Sequence, residues 1–306
     1  MYFGSVRFFK NLILLAVVVM IAIPSGVAFR QKGQLEQQSQ QIAGLQDAVA
    51  ALEEQAQQVM LPLDPEPKPE DGLDEDVMAY QTLYPDFYAP QELDASQKPH
   101  KTIYLTFDDG PSARTDEILE ILERQQVKAT FFVVGKTDEI SQQRMRSIVE
   151  QGHTLAMHSY SHDYKKIYAS VEAYLDDMYQ LFTLIRETTG QTPSVFRFPG
   201  GSINGYNNGV YQELLAEMLR RGFVPCDWNL SSADAASPIP SAQQILLNVV
   251  GNAGNKERGF VLMHDSASRV TTVEALEPMI EQLREMGFAF DRITHQTSPV
   301  LFAYRN

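Results

Sequence analysis

The sequence predicts an α/β protein: a distorted seven-stranded (β/α) barrel, preceded by an N-terminal membrane helix and a coiled-coil stalk. Three observations carry this expectation. Strand-like and helix-like segments alternate from residue 101 onward, the pattern of a parallel sheet covered by helices. Residues 101–306 are too few for a complete eight-unit barrel of about 250 residues, and no Gly-rich phosphate loop follows the first strand, as an open dinucleotide-binding sheet would require. The first hundred residues show no globular pattern. They divide into an apolar run, a heptad stretch and a proline-rich stretch.

The apolar run comes first. Arg7 and Lys10 precede Leu12–Ile23, which continues to Phe29, and no charge falls between Lys10 and Arg30. A spanning helix needs about 20 apolar residues, so residues 1–30 are expected to be a signal anchor. The basic flank keeps the short tail in the cytoplasm. The expected location is the cell membrane, single-pass, with the remainder outside. The alternative is a leader cut near Gly26-Val27-Ala28, giving a secreted protein.

Residues 31–60 form the expected stalk. Leu35, Ile42, Val49 and Ala56 share one heptad position, and Gln38, Leu45, Leu52 and Val59 share the other. Ile42 and Val49 at a, with Leu45 and Leu52 at d, favour two parallel strands, so a homodimer is expected. Residues 61–100 are the linker. Pro62, Pro65, Pro67 and Pro69 alternate with Asp64, Glu66, Lys68, Glu70 and Asp71, which makes a stiff acidic spacer. Tyr80, Tyr84, Phe87 and Tyr88 are expected to pack on the domain as an N-terminal extension.

The domain occupies 101–306. Strands are expected at 102–107, 129–134, 154–157, 195–198, 223–229, 260–263 and 288–290. Between them, helices are expected after Thr115 as N-cap, around 145–149, and over 170–188, 211–221, 242–250 and 273–286. In the long helix over 170–188 Leu175, Met178, Leu181, Phe182 and Ile185 share one side, and Gly190 stops it.

Composition limits the partners and the chemistry. The net charge is -14, with 39 Asp and Glu against 25 Lys and Arg, which argues against a nucleic-acid partner. The single cysteine, Cys226, excludes intrachain disulfides and cysteine-based zinc clusters. It reads as a buried strand residue. Any metal must be held by His, Asp and Glu.

Four polar stretches sit where strands end, the face on which (β/α) barrels carry their active sites. They are Thr106-Phe107-Asp108-Asp109-Gly110-Pro111-Ser112, His158-Ser159-Tyr160-Ser161-His162, Arg197-Phe198-Pro199-Gly200-Gly201 and Leu262-Met263-His264-Asp265. Asp108 and Asp109 would point to opposite faces of a continuous strand. They reach one site if the strand ends and the chain turns at Gly110-Pro111. Two carboxylates so close raise each other's pKa, and a bound cation removes that cost. His158 and His162, four apart, can converge on the same ion. Two His and one Asp leave coordination positions open, a catalytic rather than a structural pattern. Spacing does not decide which Asp is the ligand. Alone, Asp-Asp-Gly-Pro is an ordinary polar turn and His-x-x-x-His a surface pair; both together are not ordinary in a chain with 6 His.

Taken in this order, the four stretches resemble the NodB-type polysaccharide deacetylases, carbohydrate esterase family 4, over roughly residues 100–295. The resemblance implies Asp109, His158 and His162 as ligands of a divalent metal ion, with Zn2+ the first choice on ligand type. It implies Asp108 as general base, Arg197 as the arginine pairing with it, and His264 as the acid that protonates the leaving amine. The N–H of Gly200 matches the family's oxyanion site, though many members carry a larger residue there. Leu262, two residues before His264 on the same strand face, would line a pocket for an acetyl methyl. Asp234 aligns with the carboxylate that orients the acid, with Ala235 where an aromatic is usual; Asp227, beside Trp228, is the alternative. The implied activity is metal-dependent hydrolysis of N-acetyl groups on a glycan polymer. Export and tethering point to cell-wall peptidoglycan and N-acetylglucosamine. The alternatives are an O-acetyl-xylan esterase, a chitin-oligomer deacetylase, or an inactive glycan-binding scaffold.

Overall fold

A computed structural model describes residues 78–90 and 101–302. The expected anchor, stalk and proline-rich spacer, and the dimer expected of the stalk, lie outside the described residues. Among the described residues no helix is long and apolar enough to cross a membrane.

Eight parallel strands form one sheet: β1 (Thr102–Gly110), β2 (Thr130–Val134), β3 (Thr154–Ser159), β4 (Val195–Phe196), β5 (Val224–Pro225), β6 (Leu230–Ser231), β7 (Arg258–His264) and β8 (Ala289–Phe290). Their order is β5-β4-β3-β2-β1-β7-β6, and β8 lies against the start of β1. The helices are α1 (Ala113–Arg124), α2 (Glu139–Glu150), α3 (Tyr164–Ile167), α4 (Val171–Thr189), α5 (Tyr211–Arg220), α6 (Ala242–Ala253) and α7 (Val270–Glu285).

The sheet differs from the expected seven-stranded barrel in one place. Residues 223–229 do not form a single strand. After β5 the chain leaves that edge, the Asp227 N–H donates to the Val300 carbonyl, and the chain joins the opposite edge as β6 beside β7. Among the described residues no strand pairing links β5 to β6. The result is a curled parallel half-barrel with helices, consistent with the expected distorted (β/α) barrel.

Alternation along β1 sorts its side chains. Ile103, Leu105 and Phe107 join the large core beneath the helices, while Tyr104 joins Phe132, Ala156, Val195, Phe260 and Cys226, which is buried but lies just after β5 rather than on the expected strand, in a second cluster inside the curl. Burial pushes the Cys226 thiol up to about 11, so it is an apolar filler and not a nucleophile.

Helix α1 starts earlier than expected. Ser112 is its N-cap: the Ser112 hydroxyl accepts from the Arg114 N–H at 3.0 Å, and the Thr115 hydroxyl accepts from the Ser112 N–H at 2.8 Å. Thr115 therefore completes a reciprocal cap from inside the helix. Gly190, at φ 72°, ends α4 as expected. The extension 78–90 packs on the domain through Phe87, fully buried, and through Tyr84, stacked 4.2 Å from Tyr179.

Candidate active site

Two register shifts bring ligand-type side chains to one face. In the β1–β2 ladder Asp108 faces Phe132 and Gly110 faces Val133, so Asp109 is skipped. In the β2–β3 ladder Val133 faces Met157 and Val134 faces Ser159, so His158 is skipped. A bulge lets neighbouring side chains share a face. This corrects the expectation that β1 ends before Gly110: the strand runs through, and the bulge at Asp109, with φ 71°, does the turning. A left-handed backbone costs a non-glycine residue on the order of 1–3 kcal/mol and concentrates at functional sites.

Asp109, His158 and His162 come together with one ligand atom each within 4.8 Å of the others. His162 Nε2 lies 3.3 Å and His158 Nε2 3.7 Å from the same oxygen, Asp109 Oδ1. The His158 Nδ1 is 2.9 Å from the Arg197 carbonyl. A carbonyl only accepts, so Nδ1 carries the proton and the Nε2 lone pair faces Asp109. Two acceptors facing each other need a cation between them. Ligand atoms around a tetrahedral ion at ~2.0–2.2 Å stand roughly 3.3–3.6 Å apart, close to the observed spacing. The three residues therefore fit a divalent metal. Burial, then the neighbouring His158, lowers the His162 pKa although Asp109 and Asp108 oppose this. That keeps the ring neutral and able to ligate.

Asp108 lies beside the triad, buried to 3% exposure. Arg197, immediately after β4, donates to Asp108 Oδ1 at 2.7 Å. It also donates to the Thr106 hydroxyl and to the carbonyls of Cys226 and Asp227. Asp108 Oδ2 is left 3.9 Å from His158 Nε2.

His264 ends β7 and stands in register with Asp108 across the β1–β7 ladder. Its Nδ1 lies 2.7 Å from Asp234 Oδ1, and Asp234 Oδ2 accepts from the His264 N–H and the Thr272 hydroxyl. Burial works against a charged imidazole here. The hydrogen bond and charge of Asp234, with Asp108 and Asp109, outweigh it and raise the His264 pKa. The same pairing outweighs burial at Asp234 and holds its carboxyl below the usual range. Asp227 faces elsewhere: its carboxylate accepts from the Ser202 N–H and hydroxyl and from the Phe302 N–H. Gly200, at φ 78°, is exposed beside the cleft, and Leu262 is partly buried in register with Thr106.

Three supporting residues escaped the sequence. Asp265 accepts from Ser112 at 2.7 Å and Thr115 at 2.5 Å, and its N–H donates to the Asp108 carbonyl. It ties the end of β7 to the loop after β1. It was in view directly after His264, without a sign of its partners. Asp177, on α4, accepts from the Ser159 hydroxyl and the N–H groups of Tyr160 and Ser161, fixing the loop between His158 and His162. No local signal marks it. Lys136 donates to the Pro111 carbonyl at 2.7 Å.

Comparison with known proteins gives a consistent picture. Residues 95–219 match the family model described as polysaccharide deacetylase. A peptidoglycan-N-acetylglucosamine deacetylase of Bacillus cereus is 34% identical over 214 residues, covering 68% of this chain and 76% of that protein. A chitooligosaccharide deacetylase of Bradyrhizobium is 29% identical, covering 61% of this chain and 87% of that one. Among solved structures, the catalytic domain of peptidoglycan N-acetylglucosamine deacetylase from Eubacterium rectale is similar with a TM-score of 0.65 and 37% identity, covering 70% of this chain and 98% of that one.

Proposed function

The chain belongs to the polysaccharide deacetylase family of hydrolases, and from that premise we propose that it removes N-acetyl groups from the N-acetylglucosamine of cell-wall peptidoglycan, releasing acetate. The observation that carries this reading is the triad of Asp109, His158 and His162, flanked by a buried carboxylate with a free oxygen and by a histidine whose pKa Asp234 raises against burial. Two of the similar proteins carry that sugar and polymer in their names, which supports the choice of substrate.

A divalent ion held by the triad supplies a Lewis acid for the acetyl carbonyl and lowers the pKa of water toward ~7; zinc suits two imidazoles and one carboxylate. The protein's own groups do the rest. Asp108 takes a proton from the attacking water through its free Oδ2, while Arg197 holds Oδ1 and fixes the carboxylate's rotamer. The Gly200 N–H meets the negative charge that develops on the carbonyl oxygen. Leu262 packs against the acetyl methyl. As the C–N bond breaks, His264 gives its Nε2 proton to the departing nitrogen, because an amine anion is a poor leaving group. Asp234 holds Nδ1–H and so directs Nε2 to the cleft. The exported, tethered location belongs to the same proposal and rests on residues 1–60 alone; membrane fractionation of the full chain tests it.

Acetate release from purified peptidoglycan, chitin oligomers and acetylated xylan decides among substrates. Peptidoglycan is expected to be best, and Asp108→Asn should lower the rate at least ~100-fold. Faster release from xylan would move the reading to an esterase. No release from any polymer, or no divalent metal in the purified protein by elemental analysis, would overturn it.

A further inference from the structure

Beside the triad, away from Asp108 and His264, lies an open pocket lined by His162, Asp163, Tyr164, Lys165 and Tyr206. Nothing in the deacetylation chemistry above uses it. Its wall is aromatic and held from two directions. Asp163 caps the short helix α3 by accepting from the N–H groups of Lys165 and Lys166, which fixes Tyr164 two residues after the ligand-type His162. The Tyr164 ring stands edge-on to His162, with centroids 5.3 Å apart and planes at 88°.

The space that Tyr164 occupies belongs to position 200. A β-carbon on Gly200 would come within 2.8 Å of Tyr164 Cε1. The absence of a side chain at 200 therefore lets Tyr164, at the start of α3, close that flank of the cleft.

Tyr206 extends the wall outward. It meets Tyr164 with centroids 5.2 Å apart at 60°, yet is 56% exposed, so more than half of its surface stays open to solvent. Its loop is built rather than slack. Asn204 Oδ1 accepts the Tyr206 N–H at 2.8 Å, and Asn204 Nδ2 donates to the Pro199 and Gly201 carbonyls. The fully buried Asn207 donates to Gly201 and Ser202. The loop is thus fastened to the Arg197–Gly201 turn of the active site. An exposed tyrosine on an anchored backbone is a flat apolar surface with a polar tip and two side-chain torsions to order on binding. That shape matches the C–H face of a pyranose ring with hydroxyls at its rim.

We propose that Tyr206, braced by Tyr164, is a specificity-determining residue that stacks on the sugar neighbouring the one being deacetylated, so that the enzyme prefers glycan chains to single sugars or disaccharides. The proposal rests on the deacetylase reading above and adds a binding site to it.

The test is steady-state acetate release by wild type and Tyr206→Ala on N-acetylglucosamine oligomers of increasing length. Wild type should favour the longer oligomers. In Tyr206→Ala, kcat/KM on long oligomers should fall roughly tenfold, the size of one lost stacking contact. The loss should sit in KM, with kcat changed less than about threefold, the mark of binding shared by ground and transition states. The preference for length should shrink accordingly, and Tyr206→Phe should restore it. A variant that keeps the wild-type length preference, or loses equally on short and long oligomers, overturns the subsite while leaving the deacetylase intact. Wild type that releases no acetate from any oligomer or from peptidoglycan overturns the deacetylase reading itself.

Discussion

Arg197 and Arg221 are both sealed from solvent, at 0% and 1% exposure, and both have a carboxylate, several carbonyls and an aromatic ring around them. Arg197 pairs with Asp108 beneath the cleft and lies 4.1 Å over Phe132. Arg221 pairs with Glu217 at 2.6 Å, 5.4 Å from the Phe87 centroid, and donates to the carbonyls of Tyr80, Leu83, Tyr84 and Phe87. It is the clasp that fastens the extension 78–90 to α5. The two clusters differ in the carboxylate. Glu217 Oε1 is taken by Arg221 and Arg220, and its Oε2 by Arg220. Asp108 Oδ1 is taken by Arg197, but Oδ2 has no hydrogen-bond donor among the described residues and stands against the triad. A buried ion pair is weak evidence for stability or for function taken alone. An oxygen left uncommitted beside ligand-type groups separates the pair proposed to act in the chemistry from the one that fastens the extension.

Changing each arginine tests that distinction. Arg197→Lys keeps a positive charge but cannot hold four acceptors at once. Acetate release should fall about a thousandfold, within the range that a positioned base contributes. Activity within tenfold of wild type would mean Asp108 needs no such fixing, and the comparison would break. Arg221→Met should do the reverse. It leaves several buried carbonyls and one Glu217 contact unpaired, a cost of about 3 kcal/mol visible in urea unfolding. Below the transition kcat/KM should stay within twofold, and the extension should become sensitive to protease. A selective loss of rate in the folded variant would join the extension to the cleft.

The same contrast explains what could be read from the sequence. The pairing of Arg197 with Asp108 was legible through the resemblance that Arg-Phe-Pro-Gly-Gly carries, and the convergence of His158 and His162 because their spacing is a chemical pattern. Arg221 was not, because its partners are main-chain carbonyls from a segment more than a hundred residues away, and carbonyls carry no residue identity. The bulges at Asp109 and His158 were invisible for a related reason: register is a property of two strands, and neither sequence segment contains its partner. The expected strand–helix alternation matches the structure on either side of one segment. It failed at 223–229, where an apolar run hides the change of edge that the Asp227–Val300 hydrogen bond makes. Helix α1 was placed late because Thr115 is a good cap in isolation, while Ser112 is the better one once Asp265 binds both hydroxyls.

Two histidines sharpen the comparison at opposite ends of the strands. His153, at the start of β3, is 3% exposed; its Nδ1 accepts from the Ala129 N–H and its Nε2 is buried without a partner. Burial first, then Lys128 and Arg292, lowers its pKa from 6.5 to about 4. The fold therefore requires the neutral ring. Between those values the unfolded chain binds the extra proton, so this contribution is complete above ~6.5 and is lost as pH falls toward ~4, by at most about 3 kcal/mol. Urea unfolding across that range should show the slope, and His153→Gln should flatten it. An unchanged slope in the variant would place the acid sensitivity elsewhere.

His264 is shifted the other way, and its effect is the smallest because it displaces a limb rather than removing activity. In the proposed mechanism it protonates the leaving nitrogen and must carry its proton, so the rate should fall as pH rises through its raised pKa. In Asp234→Asn the hydrogen bond to a charged carboxylate and its field are both gone, and these are the strongest of the influences holding the pKa up against burial. The alkaline limb of kcat should move to lower pH. At pH low enough to protonate the ring in both proteins the rates should agree within roughly tenfold, because an imidazolium carries both protons and has no tautomer to choose. Asp227→Asn serves as the paired control, since Asp227 is bound to Ser202 and Phe302 and not to the imidazole. If the limb stays in place in Asp234→Asn, or moves equally in Asp227→Asn, the group that titrates is not a histidine poised by Asp234, and the acid must be sought among the other groups around Asp108.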